Sequence, residues 1–115
     1  MAKITFLGAG STVFAKNILG DSLLSAAMRD SEFALFDIDS GRLHDSKAML
    51  DVLNRKYGEH GKIVAYTDRK EALAGADYVI NAIQVGGYRP STVIDFEVPK
   101  KYGLRQTIAD TLGIG

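Results

Sequence analysis

Gly8-Ala9-Gly10-Ser11-Thr12-Val13 is the first stretch of this sequence whose residue types could do chemistry. It holds two of the three glycines of the G-x-G-x-x-G dinucleotide fingerprint, with Val13 in the third place. Bare backbone in such a turn lets N–H groups and a helix N-terminus approach a pyrophosphate. The third glycine serves helix–sheet packing, so Val13 predicts a slightly altered helix approach rather than a lost phosphate site. An ordinary turn between a buried strand and a helix would fit the same residues. Asp37 adds weight to the chemical reading. It ends the apolar run Phe33-Ala34-Leu35-Phe36, where an acid can accept hydrogen bonds from adenosine ribose hydroxyls. An acid there also repels a 2′-phosphate and favours NAD over NADP. Its other use would be to cap the next helix, a task for which Asp39 and Ser40 already stand in place. Arg42 could soften the cofactor preference, but reads first as a solvated helix residue.

Asn81 lies within the apolar run Tyr78-Val79-Ile80-Asn81-Ala82-Ile83. A buried amide there must be hydrogen-bonded. It serves either as a link to a neighbouring loop or as a contact near a nicotinamide ribose. Gln84-Val85-Gly86-Gly87-Tyr88-Arg89-Pro90 follows as a glycine-bearing loop, the kind of segment that binds ligands or merely connects. His44 and His60 have no partner at metal-ligand spacing, and Lys100, Lys101 and Arg105 read as a solvated basic face.

The elements that must position these residues alternate between apolar runs and helix-period segments, which is the βαβ pattern. Strands are predicted at Ile4 to Leu7, Phe33 to Phe36, Ile63 to Tyr66 and Tyr78 to Ile83. The last is almost continuously apolar and is expected to be covered on both faces. Ser11 and Thr12 can cap a first helix with Phe14, Ile18, Leu19, Leu23 and Leu24 on its apolar face. Asp39 or Ser40 opens a second, with Leu43, Leu50, Leu53 and Tyr57 on one side and Gly58 at its end. Asp68 and Glu71 form a capping box for a short third helix closed by Gly75. Pro90 suits the first turn of a last helix, Pro99 should break or kink it, and Gly103 ends it. Right-handed crossovers then give a doubly wound parallel α/β sheet, Rossmann-like, with its first four strands in the order 3-2-1-4. The ligand crevice falls at the carboxyl ends of strands one and four. A complete sheet of this kind has two further strands. Residues 1–115 therefore read as an incomplete, truncated NAD-binding domain.

Composition excludes several classes. The chain has 115 residues, 14 Lys plus Arg against 14 Asp plus Glu, and no Cys. Thiolate metal sites, cysteine nucleophiles and disulfides are ruled out. Zero net charge argues against nucleic acid or an acidic membrane as the partner. No apolar run approaches membrane-spanning length. The short run before Gly8 does not read as a signal peptide, so a cytoplasmic location is expected.

Four blocks carry a more specific resemblance: Ile4 to Phe14, Phe36-Asp37-Ile38-Asp39, Ala76 to Gly87 and Lys101 to Gly113. Together they resemble glycoside hydrolase family 4, closest to its α-galactosidase branch, along the whole chain. This family is an exception to two-carboxylate glycoside hydrolysis. The resemblance implies cleavage through transient oxidation at sugar C3, loss of the C2 proton to a tyrosine base, elimination, hydration and return of the hydride. NAD is the implied hydride carrier, and divalent manganese the implied Lewis acid. Gly8, Gly10, Ser11 and Asp37 match the family's cofactor positions, and Thr12, Val13 and Phe14 continue the same block. Asn81 and Gln84 match positions near nicotinamide and substrate, with Asn81 and Arg89 as substrate-binding candidates. Asp110 matches an acidic position of the active site and is the catalytic candidate. The family's metal-binding Cys and His and its base tyrosine fall beyond this chain, so no metal ligand is expected within it. The phospho-glycosidase branch carries Arg where this chain has Gln84, a departure that argues for an unphosphorylated sugar. The expected partners are a small-molecule glycoside and further copies of the same chain. The rival readings are the first half of a lactate- or malate-type dehydrogenase, a non-catalytic nucleotide-binding module and a methyltransferase.

Overall fold

A computed structural model describes residues 1–106. These divide into two compact units, one of Met1–Ile83 and a second that begins at Gln84.

In the first unit, four parallel strands form one sheet: β1 (Lys3–Leu7), β2 (Glu32–Phe36), β3 (Lys62–Tyr66) and β4 (Tyr78–Asn81). Their order is β3-β2-β1-β4, the arrangement expected from right-handed crossovers. Register places Leu7 beside Phe36 on one side and Asn81 on the other, so the carboxyl ends of β1, β2 and β4 lie level.

Helix α1 (Thr12–Leu24) joins β1 to β2 and α2 (Ser40–Lys56) joins β2 to β3. Both cover the sheet face that carries Ile4, Phe6, Phe33 and Leu35, and these residues pack with Leu19, Leu23, Leu43 and Leu50 into one core. Phe6, Leu35 and Leu50 lose all exposure to solvent. Each such side chain contributes about 1.5–3 kcal/mol of transfer free energy on burial. The buried stripe of α1 is Ala15, Leu19, Ser22 and Leu23, at helical spacing. It is rotated from the expected face: Phe14, Ile18 and Leu24 are exposed. Apolar residues surround much of this helix, so periodicity could not select the side that α2 and the sheet would cover.

Asp39 caps α2 by accepting the Arg42 N–H at 3.0 Å. At the other end Gly58 N–H donates to the Arg55 carbonyl and Glu59 N–H to the Asn54 carbonyl, a Schellman closure. Asp68 accepts from Lys70 and Glu71 N–H at the start of α3 (Arg69–Leu73). That short helix is fixed to the opposite sheet face by the buried Thr5 hydroxyl, which donates to the Ala72 carbonyl at 2.8 Å.

β4 departs from expectation. It ends at Asn81 rather than Ile83, and Tyr78 and Val79 are exposed. Among the described residues only β1 pairs with it, the open edge that a sheet lacking its further strands implies, while the expected cover of both its faces is not present. In the second unit, Gly87–Thr92 forms wide π-type turns interrupted by an extended Arg89, and α4 (Val93–Lys100) follows. Pro90 therefore precedes the regular helix instead of opening it. Pro99 sits one residue from its end, where the helix stops without a mid-length kink.

Candidate functional site: the turn at the sheet's carboxyl edge

The backbone from Gly8 to Ser11 makes a tight turn whose N–H groups are consumed one after another. Gly8 and Ala9 N–H both donate to the Phe36 carbonyl, at 2.9 and 3.0 Å. Gly10 N–H donates to Asp37 Oδ2 at 2.8 Å. Ser11 N–H donates back to the Gly8 carbonyl at 3.0 Å. The turn after β1 is thus stitched to the end of β2 by three consecutive amides.

Glycine is required at both fingerprint positions for different reasons. Gly8 has φ +89°, and a Cβ on it would overlap the Ala82 carbonyl beyond β4. Gly10 needs space rather than an unusual φ: its Cβ would stand 2.6 Å from Asp37 Oδ2 and 3.0 Å from Arg42 Cβ. Real contacts of that kind do not form, so a side chain at residue 10 would displace the carboxylate from this position.

Helix α1 begins immediately after this turn. Its first N–H groups, from Thr12, Val13 and Phe14, have no intrahelical acceptor, because such bonds begin with Ala15 N–H to the Ser11 carbonyl at 2.9 Å. Ser11 occupies the cap position, yet its side chain makes no cap hydrogen bond, against the expectation that Ser11 or Thr12 would cap. The reason is conformational: with ψ 86°, Ser11 lies outside the extended geometry that side-chain capping uses. A positive helix end without a side-chain cap therefore follows the braced turn, an arrangement suited to an anion. Val13, in the place of the third glycine, is 65% exposed.

Asp37 accepts a second N–H, from Asp39 to Oδ1 at 2.8 Å. Both oxygens are held by backbone, and each retains acceptor capacity for a further donor. Asn81 is not the buried amide that its apolar neighbours suggested; it is exposed at the end of β4, beside Leu7 in register. Edge position explains this, because the strand lacks a second neighbour. Its Oδ1 makes one long contact, 3.4 Å from Ile83 N.

Gly8, Gly10, Ser11, Thr12, Val13, Phe14, Asp37 and Asn81 all fall at the carboxyl ends of β1, β2 and β4 or in the first turn of α1. Gln84 and Arg89 belong to the second unit. There Gln84 Oε1 accepts the Gly87 N–H at 3.0 Å, closing its own loop, and Arg89 is exposed. Asp110 lies outside the described residues. Reading the sequence did not identify the Phe36 and Ala82 carbonyls as parts of the turn. Nothing local marks a backbone acceptor, although the small residue at 82 is compatible with close approach.

Two other features lie away from this edge. An apolar cavity of about 740 Å³ opens beside Ile4, Ile18, Met28, Tyr78 and Ile80, towards the amino ends of β1 and β4. It offers little to a phosphate, and Asp21 in its wall would repel one. Also remote is a charged cluster on the opposite sheet face. Glu32 accepts from Lys62 Nζ and the Tyr66 hydroxyl, both at 3.2 Å, with Lys3 Nζ at 3.9 Å. Desolvation pushes the Glu32 pKa up, but the hydrogen bonds from Lys62 and Tyr66 and the charges of Lys62 and Lys3 outweigh it, so the net shift is downward. Burial, then the bond to Glu32 and its charge, raise that of Tyr66. Among the described residues no group of three or more His, Asp or Glu side chains could hold a metal ion. No helix among them is long and apolar enough to cross a membrane.

The sequence matches, over residues 3–115, the family model described as Family 4 glycosyl hydrolase. An α-galactosidase of Bacillus subtilis (strain 168) is 66% identical over 115 residues, covering 100% of this chain and 27% of that protein. A 6-phospho-beta glucosidase from Thermotoga maritima, solved with manganese, NAD+ and glucose-6-phosphate, superposes with TM-score 0.70 at 28% identity, over 91% of this chain and 25% of that one. A 6-phospho-alpha-glucosidase from gut microorganisms, solved with NAD and glucose-6-phosphate, gives TM-score 0.72 at 27% identity, over 89% and 23%. This chain therefore spans about a quarter of the length of the proteins it matches.

Proposed function

The chain belongs to family 4 of the glycosyl hydrolases, and on that premise we propose that it is the NAD-binding segment of an α-galactosidase-type glycoside hydrolase. The observation that carries this reading is the braced turn. Gly10 admits the Asp37 carboxylate at 2.8 Å, and the N-terminus of α1, without a side-chain cap, follows at once. A dinucleotide fits that arrangement. Thr12, Val13 and Phe14 N–H would receive the pyrophosphate, with Gly8, Gly10 and Ser11 shaping the approach. Asp37 would accept the adenosine ribose hydroxyls, which selects NAD over NADP. Asn81, level with Leu7, would face the nicotinamide side. When bound, NAD supplies a reversible hydride acceptor for the sugar. The chain's own residues bind and orient it. Gln84 and Arg89 are assigned to the substrate side, and Asp110 to the acidic position of the active site.

Gln84 and the 66% identity to an α-galactosidase both support an unphosphorylated α-galactoside as the substrate of the whole protein. The ligands of a manganese ion are assigned outside this chain on the family resemblance alone, and no step is derived through it. Residues 1–115 then constitute an incomplete Rossmann-like domain of a cytoplasmic homo-oligomer that acts on small glycosides. Family membership argues against the dehydrogenase and methyltransferase readings.

The test is hydrolysis of 4-nitrophenyl α-galactoside by the longer protein containing this chain, in heavy water, with NAD+ and manganese added or withheld. The proposal expects activity only with both, and deuterium at C2 of the released galactose. Full activity without NAD+, or unlabelled galactose, would overturn it.

A further inference from the structure

We propose that Asp37 is a positioning residue for the cofactor turn, fixing the Gly8–Ser11 backbone through the Gly10 N–H before any ligand arrives. The inference deepens the NAD-binding reading and rests on it for the identity of the ligand, but the geometry is a property of the protein alone.

Three facts carry it. The Gly10 N–H reaches Asp37 Oδ2 at 2.8 Å across 27 residues of sequence, so the contact joins the turn after β1 to the end of β2. The other oxygen is anchored by the Asp39 N–H at 2.8 Å, which sets the plane of the carboxylate. The carboxylate occupies the space a Cβ at residue 10 would fill, 2.6 Å from Oδ2 and 2.8 Å from Cγ, so the pair is mutually exclusive with any side chain there. A hydrogen bond to an ionised acceptor is about twice as strong as a neutral one. Here it holds the one turn amide that the Phe36 and Gly8 carbonyls do not. What it fixes is the direction in which the first N–H groups of α1 point.

Asparagine tests the geometry finely. Its amide offers one acceptor oxygen and one NH₂ donor, so it can satisfy Gly10 N–H or Asp39 N–H but not both. Alanine satisfies neither.

The experiment has two arms on this chain. The first measures hydrogen exchange at the Gly10 amide without cofactor in the parent, Asp37→Asn and Asp37→Ala. Protection is expected to fall in that order, by at least tenfold between the extremes, while the Phe6 and Leu35 amides are unchanged. Equal Gly10 protection in all three overturns the proposal, whether or not NAD+ binds. The second arm titrates an NAD+ analogue whose adenosine ribose lacks its 2′- and 3′-hydroxyls. Positioning predicts that Asp37→Ala still binds it at least fivefold more weakly than the parent. Unchanged or tighter binding would show that the carboxylate serves the ribose alone, or merely repels the phosphates, and would overturn the inference. If neither NAD+ nor the analogue binds the parent, the functional reading fails while the exchange arm still decides the role of Asp37. Asp37→Asn serves in the second arm should Asp37→Ala fail to fold.

Discussion

Gly10→Ala is the substitution whose consequence the structure defines most closely. The new methyl would lie 2.6 Å from Asp37 Oδ2, 2.8 Å from its Cγ and 3.0 Å from Arg42 Cβ. Ordinary contacts begin near 3.5 Å, so the carboxylate must retreat by about 1 Å. That stretches the 2.8 Å bond from Gly10 N–H beyond the range in which a hydrogen bond survives. A bond to a charged acceptor contributes about 1.5–3 kcal/mol. Asp37 is only half-buried and can recover part of that from water, leaving about 1–2 kcal/mol. On the proposed NAD reading the same retreat takes the carboxylate away from the ribose hydroxyls, and losing an interaction of that size, about 1–2 kcal/mol, lowers NAD+ affinity about 5–30-fold at 1.4 kcal/mol per decade. The steric cause is thus the protein's own carboxylate before it is the pyrophosphate. Calorimetric titration with NAD+ beside thermal melting measures both effects. Gly75→Ala is the control, since its Cβ would meet no atom within 4 Å and should leave affinity unchanged. A folded Gly10→Ala variant binding within twofold of the parent would refute the reasoning.

Gly8→Ala should cost more stability than Gly75→Ala in denaturant unfolding. Both pay about 1–2 kcal/mol for a left-handed backbone, but only Gly8 adds an overlap with the Ala82 carbonyl, and equal losses would contradict that contact. Thr5→Val keeps the shape but strands the buried Ala72 carbonyl; a loss of about 1–3 kcal/mol is expected in the same assay, and a neutral result would mean the bond does not fix α3. Glu32 sets an acid dependence. Its folded pKa is depressed, so its contribution is full above the ordinary glutamate value and is lost as pH falls through the folded value. The stability gap between parent and Glu32→Gln should therefore be widest near neutrality and close in acid, and a gap constant from pH 7 to 3 would contradict the assignment.

Much of this architecture was legible in the sequence because strand and helix periods are local properties. The four strands, their order, the Asp39 and Asp68 caps and the Gly58 terminus all follow from patterns a few residues long. What failed depends on partners distant in sequence. Asn81 is exposed, not buried, because β4 is, among the described residues, the edge of a sheet that lacks its further strands; the apolar run marks the strand, while the burial of its residues depends on layers this chain does not supply. Phe14, Ile18 and Leu24 were misplaced because α1 is apolar on several sides, and contact with α2 decides the buried one. Ser11 was expected to cap, but the turn that Phe36 and Asp37 hold from β2 gives it a ψ unsuited to that. The acid and the glycines of the site were each legible alone; the bond between Gly10 and Asp37 was not.

NAD is proposed to bind at the carboxyl edge of β1, β2 and β4. Backbone amide resonances of this chain, followed during titration with NAD+, test it most directly. Saturable shifts are expected to centre on Gly8 to Phe14, Asp37 and Asn81, with weaker binding of NADP+ at the same residues and little change around Ile18, Met28 and Tyr78 in the apolar cavity at the other end of the sheet. Shifts centred on that cavity, or no saturable binding, would contradict it.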